Sequence, residues 1–233
     1  MDIVFQFGPV FKRMDLIIDG VTMTIQVALL STFLGFLIGI ICARIRIEGS
    51  KKAKFVVACY VEFIRNTPFL VQLFMFAFGL PQFVALLGFN IRPSPYYLAI
   101  IALSINLGAY STEIIRAGLE AIPKSQIEAA QGLALTPFQI FSRISLPPAI
   151  AKVYPALSSQ FILHMLGTSV ISTISVQELT LSAGRIQSET FRAFESYFIV
   201  TAIYFALAIA FRIIFKLAAR FALPWLHKTT NRS

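Results

Sequence analysis

A water-soluble domain carries roughly 25% charged residues; this chain of 233 residues carries 13% against 57% hydrophobic, which excludes a soluble fold. A net charge of +9 would suit nucleic acid, but the basic residues sit at the ends of long apolar runs, with no basic patch interleaved with aromatics. That placement excludes a nucleic-acid module and points to a lipid bilayer.

In chain order, residues 1–16 read as an N-terminal segment. Asp2, Asp15 and Asp19 stand beside Lys12 and Arg13 ahead of or inside the first apolar run, unlike the cationic lead of a cleaved signal. The first span is therefore expected to stay in the protein. Five runs are long enough to cross as helices: roughly 17–43, 55–80, 95–117, 153–176 and 196–219. The expected fold is an all-α integral membrane protein with one transmembrane domain over 17–220 and a tail over 221–233.

Loop charge sets an expected orientation. Arg44, Arg46, Lys51, Lys52 and Lys54 follow the first span against a single Glu48, whereas the next connection holds only Arg92. Arg116, Lys124, Arg143 and Lys152 mark the third connection, and Arg220, Lys228 and Arg232 mark the tail. Positive residues stay on the cytoplasmic side, so the N-terminus is expected outside and the C-terminus inside. Cys42 and Cys59 form no disulfide or metal spacing.

Small and hydroxyl residues line two spans. Ser104, Gly108 and Ser111 recur at helical spacing in the third, where small side chains let helices approach closely. Thr168, Ser169, Ser172 and Ser175 enrich the fourth, near Gln160 and His164. Lipid offers hydroxyls no partners, so they either glue helices together or form the polar wall of a path. His164 reads as a hydrogen-bonded helix contact.

The stretch 121–148 has helix grammar of its own. Ser125 with Glu128 three residues on reads as a capping box, and Gly132 as a stop or bend. Thr136, Pro137 and Gln139 read as a second helix start, closed by Pro147 and Pro148. Two short, sharply bounded helices are expected on the cytoplasmic face.

The string Glu128-Ala129-Ala130-Gln131-Gly132, followed by Ile144-Ser145-Leu146-Pro147, resembles the EAA loop of permease subunits of bacterial binding-protein-dependent ABC importers. Tyr60-Val61-Glu62-Phe63-Ile64-Arg65-Asn66-Thr67-Pro68, Ala109 to Arg116 and Gly20 to Thr24 resemble signatures of the polar amino acid subfamily. The resemblance implies a type I importer permease fold in the bacterial inner membrane, working as a dimer with itself or a related permease. It implies two ABC ATPase subunits holding ATP and magnesium, an extracytoplasmic solute-binding protein, and a polar amino acid or opine as substrate. Ser125, Gln126, Glu128, Ala129, Ala130, Gly132, Leu146 and Pro147 would be the ATPase-coupling residues. Two departures stand out. Ser125-Gln126 replaces the family's Gly-Gln, and Leu166-Gly167 stands where the family often has a charged pair.

Glu62 and Arg65 fall inside the second expected span, three residues apart, where each unpaired charge would cost at least about 2.5 kcal/mol. They either neutralise one another or meet the two charges of an amino acid; the Thr67-Pro68 step beside them breaks helical hydrogen bonding. Asn66, Thr67, Gln72, Asn106, Tyr110, Thr168, Ser169 and Ser172 complete the expected substrate path, and Glu113 with Arg116 forms an expected structural ion pair. No catalytic constellation, phosphate-binding glycine loop or metal cluster is apparent, so chemistry and cofactors are assigned to partner subunits. An ion-gradient-driven transporter or channel is the alternative, though it leaves the two capped helices without a task.

Overall fold

The computed structural model describes residues 5–89 and 93–222. Asp2, Arg92, Lys228 and Arg232 of the sequence argument lie outside the described residues. Every regular element among the described residues is helical: α1 (Gly8–Phe11), α2 (Met14–Glu48), α3 (Lys51–Arg65), α4 (Phe69–Leu86), α5 (Pro95–Glu120), α6 (Lys124–Gly132), α7 (Pro137–Ile174), α8 (Leu179–Thr190) and α9 (Ala193–Ala222). Five of them, α2, α4, α5, α7 and α9, are long and apolar enough to cross a membrane.

The second span differs from expectation. The run 55–80 is broken at Asn66–Pro68, and the crossing candidate is Phe69–Leu86. Pro68 has no amide hydrogen to continue the ladder and disfavours a helical residue before it. Asn66 ends α3, its N–H donating to the Glu62 carbonyl at 3.1 Å, and α4 starts afresh with Pro68 as its N-cap. The separated α3 is amphipathic, capped by Ser50, with Val57, Val61 and Ile64 buried on one stripe.

Prolines also explain two irregular turns. α4 widens to π geometry over Met75–Gly79 just before Pro81, and α7 does so over Ile140–Ser145 just before Pro147 and Pro148. A wider turn re-pairs the carbonyls that these prolines leave without an amide partner. Pro147 and Pro148 therefore do not end the helix as expected. The chain runs on as one α7 through Gly167 and tightens to 3₁₀ geometry over Thr168–Ile174.

By contact the chain forms two compact units. One gathers the chain up to Phe33, Pro68–Leu103 and Ile162–Ala210; the other gathers Leu34–Thr67, Ser104–Phe161 and the chain from Phe211. Inside the first, Val27, Leu73, Ala99, Leu103 and Ile171 form one apolar cluster, and Ile17, Leu179, Ile186 and Val200 form another. Inside the second, Ala43, Ile115, Phe141, Ala149 and Leu157 pack together, while Val57, Val61 and Ile64 seat against Ala109. There α2 and α5 touch through the small residues: a Cβ on Gly39 would lie 2.5 Å from Ser111 Cβ, and one on Gly108 2.6 Å from Ile38. Any larger residue at Gly39 would force the two helices apart.

Candidate functional site

The segment between α5 and α7 lies wholly in the second unit. α6 begins at Lys124 with Pro123 as N-cap and no side-chain cap; Ser125, expected as the cap, is one residue inside the helix and exposed. Pro123 sets an extended backbone at ψ 133°, which leaves Ser125 no capping position to fill. The second expected box is present: Gln139 N–H donates to Thr136 Oγ1 at 3.3 Å, and Thr136 N–H donates to Gln139 Oε1 at 2.8 Å. The reversal after α6 is made at Ala134, with φ 54°, while Gly132 stays helical.

Ala130 seats the helix at 4% exposure, and Gln126, Glu128, Ala129 and Gly132 face outward. Nothing lies within 4 Å of where a Cβ on Gly132 would project. One side of α6 opens onto a cavity of about 610 Å³ lined by Gln126, Ala129, Ala130, Arg143, Pro147 and Pro148. Ile127 and Gln131 face a second cavity of about 850 Å³, walled by Ile40, Arg44, Phe138 and Phe141. Arg44 braces that wall, its guanidinium 5.3 Å and 5.0 Å from the Phe138 and Phe141 ring centres and its Nε 3.0 Å from Glu48. Leu146 and Pro147 are half-buried behind α6.

The expected path residues divide between the units. In the second unit, Glu62, Arg65 and Asn66 are exposed on α3 and its end, with Thr67, Asn106 and Tyr110 part-buried. Glu62 and Arg65 do not pair as their spacing suggested. The Glu62 carboxylate accepts from Asn66 Nδ2 at 2.9 Å, and the Arg65 guanidinium lies 5.6 Å from the Tyr110 ring centre. Two charges of opposite sign thus stay available on one short helix end. Thr67 donates to the Phe63 carbonyl at 2.8 Å and closes the broken turn. Nearby, Arg116 holds Glu113 through Nη2 at 2.8 Å and Nε at 3.0 Å, and reaches Glu120 through Nη1 at 2.5 Å.

In the first unit Gln72 and Thr168 are buried, and Ser169 and Ser172 are part-buried. The hydroxyls bond back along their own helix: Thr168 donates to Met165, Ser172 to Ser169 and Thr173 to Val170, at 2.6, 2.7 and 2.7 Å, each three residues back. Tight 3₁₀ geometry brings those carbonyls within reach, so the hydroxyls satisfy local backbone instead of gluing neighbouring helices. His164 is buried with Nε2 2.8 Å from Ser31 Oγ, a helix contact as its isolation suggested.

Sequence reasoning passed over two features. Glu178, given no role by the sequence, is fully buried: it caps α8 by accepting Leu181 N–H at 2.9 Å and accepts the Tyr204 hydroxyl at 2.5 Å. Burial pushes its carboxyl above the usual range, against the lowering pull of the Thr180 and Leu181 amides and the Tyr204 hydroxyl. Arg46, read only as an orientation charge, lies 3.7 Å from Glu113. Neither position carries a local pattern, since both partners come from distant elements. Among the described residues no group of three or more metal-binding side chains occurs.

Residues 35–222 match the family described as binding-protein-dependent transport system inner membrane component. The nopaline transport system permease protein NocM of Agrobacterium fabrum is 34% identical over 192 residues, covering 81% of this chain and 80% of that one. The arginine transport system permease protein ArtQ of Bacillus subtilis is 29% identical, covering 92% and 95%. Among solved structures, an amino acid ABC transporter crystallised with histidines aligns at TM-score 0.80 and 35% identity over 94% of this chain and 99% of that one. An inward-facing MetNI methionine ABC transporter, 21% identical with TM-score 0.73, shares the fold. With five apolar spans and a family match over most of its length, the chain belongs to the binding-protein-dependent transport inner membrane components, as a multi-pass permease subunit of an ABC importer rather than an enzyme.

Proposed function

We propose that this permease carries a polar amino acid or an amino acid derivative such as an opine inward across the membrane, by alternating access driven by ATP hydrolysis in partner subunits. The N-terminus lies outside and the C-terminus in the cytoplasm, following the basic loops. ATP and magnesium belong to the ATPase subunits, a solute-binding protein delivers substrate at the outer face, and a second permease completes the dimer. The observation that carries the reading is α6, a helix seated by Ala130 while Gly132 stays open and a cavity of about 610 Å³ lies alongside. Such a face fits insertion into a groove of an ATPase.

The substrate class rests on the nopaline and arginine permeases among the relatives and on the two-signed end of α3. Arg65 would meet the substrate carboxylate and Glu62 its ammonium group. Asn66, Thr67, Asn106 and Tyr110 serve the path in the second unit, and Gln72, Thr168, Ser169 and Ser172 serve it in the first. Leu166 and Gly167 put no charge on their stretch of α7, so charge recognition falls to α3.

The test is ATP hydrolysis in proteoliposomes holding the permease, its ATPase and external binding protein loaded with arginine, glutamine, cystine, nopaline or octopine in turn. Ligand-stimulated hydrolysis with matching uptake establishes the reading and names the substrate. Uptake that proceeds without any ATPase overturns it.

A further inference from the structure

Glu113 is asymmetrically served. Its Oε2 accepts both Nε and Nη2 of Arg116, whereas its Oε1 is buried and accepts no hydrogen bond. The cation facing Oε1 is Nη2 of Arg46, in the last turn of α2, at 3.7 Å, an ion pair too long to be a hydrogen bond. Other charges face the group too. Arg65 on α3 lies within coulombic range, with its guanidinium over Tyr110, and Glu120 takes the remaining arm of Arg116. A buried acceptor beside a donor that stops short of it leaves a closer, hydrogen-bonded position open to the pair.

The chain gives that closure a direction. Glu120 ends α5 and α6 begins four residues later at Lys124, so Glu113 and Arg116 lie on the stem of the segment that would meet the ATPase. Arg46 precedes the Gly49-Ser50 turn into α3, whose far end carries Glu62 and Arg65. We propose that Arg46 and Glu113 are a positioning pair, open in this structure, which closes into a charge-assisted hydrogen bond when the ATPases draw on α6 and so ties that movement to α3. The proposal rests on the importer reading above. Closure needs a shift of only about 0.8 Å, from an ion pair to a bonded one.

The experiment uses the assembled importer in proteoliposomes, with the binding protein loaded with whichever of the five ligands above stimulates wild type most. Hydrolysis with and without ligand is compared for wild type, Arg46→Gln, Glu113→Gln, the double variant and Arg46→Lys. The ratio of stimulated to unstimulated hydrolysis is expected to fall about fivefold in each single variant, the lower end of a typical coupling between sites. The double variant is expected to lose no more than the worse single, and Arg46→Lys to regain at least half. A ratio unchanged while both rates fall together means a merely structural role, and losses that multiply in the double mean independent residues; either overturns the proposal. Should Glu113→Gln fail to insert, Arg46→Gln against Arg46→Lys decides alone. A wild type without ligand stimulation instead sinks the importer reading, which keeps the two failures distinct.

Discussion

Two short helices outside the spans, α6 and α8, show opposite ways of finishing a helix. α8 is tied to its own chain: Glu178 caps it, Leu179 N–H donates to Thr24 Oγ1 at 3.2 Å, Leu179, Ala183 and Ile186 are buried, and Glu189 pairs with Arg13. α6 has no side-chain cap, one buried residue in nine, and open space along two sides. A helix of about nine residues is marginal in water without tertiary contacts. The first is finished by its own chain, and the second leaves most of its surface open, as the proposed docking to an ATPase requires.

The sharpest way to break that contrast is Gly132→Asp. Beyond α6's own backbone and the adjoining residues nothing lies within 4 Å of a Cβ there, so thermal stability should hold within about 0.5 kcal/mol. ATPase co-purification and ligand-stimulated hydrolysis should nevertheless fall at least about tenfold, as burying an unpaired charge in a partner's groove costs several kcal/mol. A large loss of stability instead would mean that α6 packs on its own chain, as α8 does.

Glu178→Ala should act the other way. It removes the α8 cap that accepts Leu181 N–H and leaves the Tyr204 hydroxyl with Thr180 Oγ1 alone, so unfolding in detergent should show a loss of about 2–3 kcal/mol. Tyr204→Phe should cost about 1–1.5 kcal/mol. Stability that survives Glu178→Ala would dissolve the contrast from α8's side.

The same carboxyl predicts a pH dependence. Burial raises its folded value above the unfolded one, so between the two the folded state holds more protons. Stability conferred by this group is therefore complete below the ordinary glutamate range and declines as pH rises through the raised value. Glu178→Gln, which stays neutral, should flatten that decline, read as wild-type and variant melting curves that lie together at acid pH and separate toward alkaline pH as the wild type falls. Curves that run parallel would count against it. The smallest expected effect is Thr136→Ala, which removes the capping box at the start of α7 and should cost about 1 kcal/mol.

How much of this was legible beforehand follows from what kind of interaction each feature uses. Five spans are readable because hydropathy is a sum over about 20 neighbouring residues, and the Thr136–Gln139 box because its partners sit three residues apart. The second crossing starts later than expected because the apolar run continues across Pro68, although the helix does not. Pro147 and Pro148 mislead in the opposite sense: proline stops an α-helix, but a wider turn just upstream accommodates it. Ser125 failed as a cap because Pro123 set the entry two residues earlier. Glu178 with Tyr204, and Arg46 with Glu113, join residues 26 and 67 positions apart, and no local pattern announces them.

The widened turn at Ile140–Ser145 has one more consequence, which concerns counting. A π turn holds one residue more than an α turn, and each residue of a helix is worth about 100° of rotation. Everything before it, including Phe138 and through the linker α6 itself, is therefore phased by that surplus residue against Ala149 and Leu157, which anchor α7 in its core. Deleting a single residue there would turn an intact α6 about 100° away from its present direction and would give back to Pro147 and Pro148 the unpaired carbonyls that the wider turn accommodates. The heading of this segment is thus stored as an integer, a quantity that side-chain substitution cannot tune and that one codon can change.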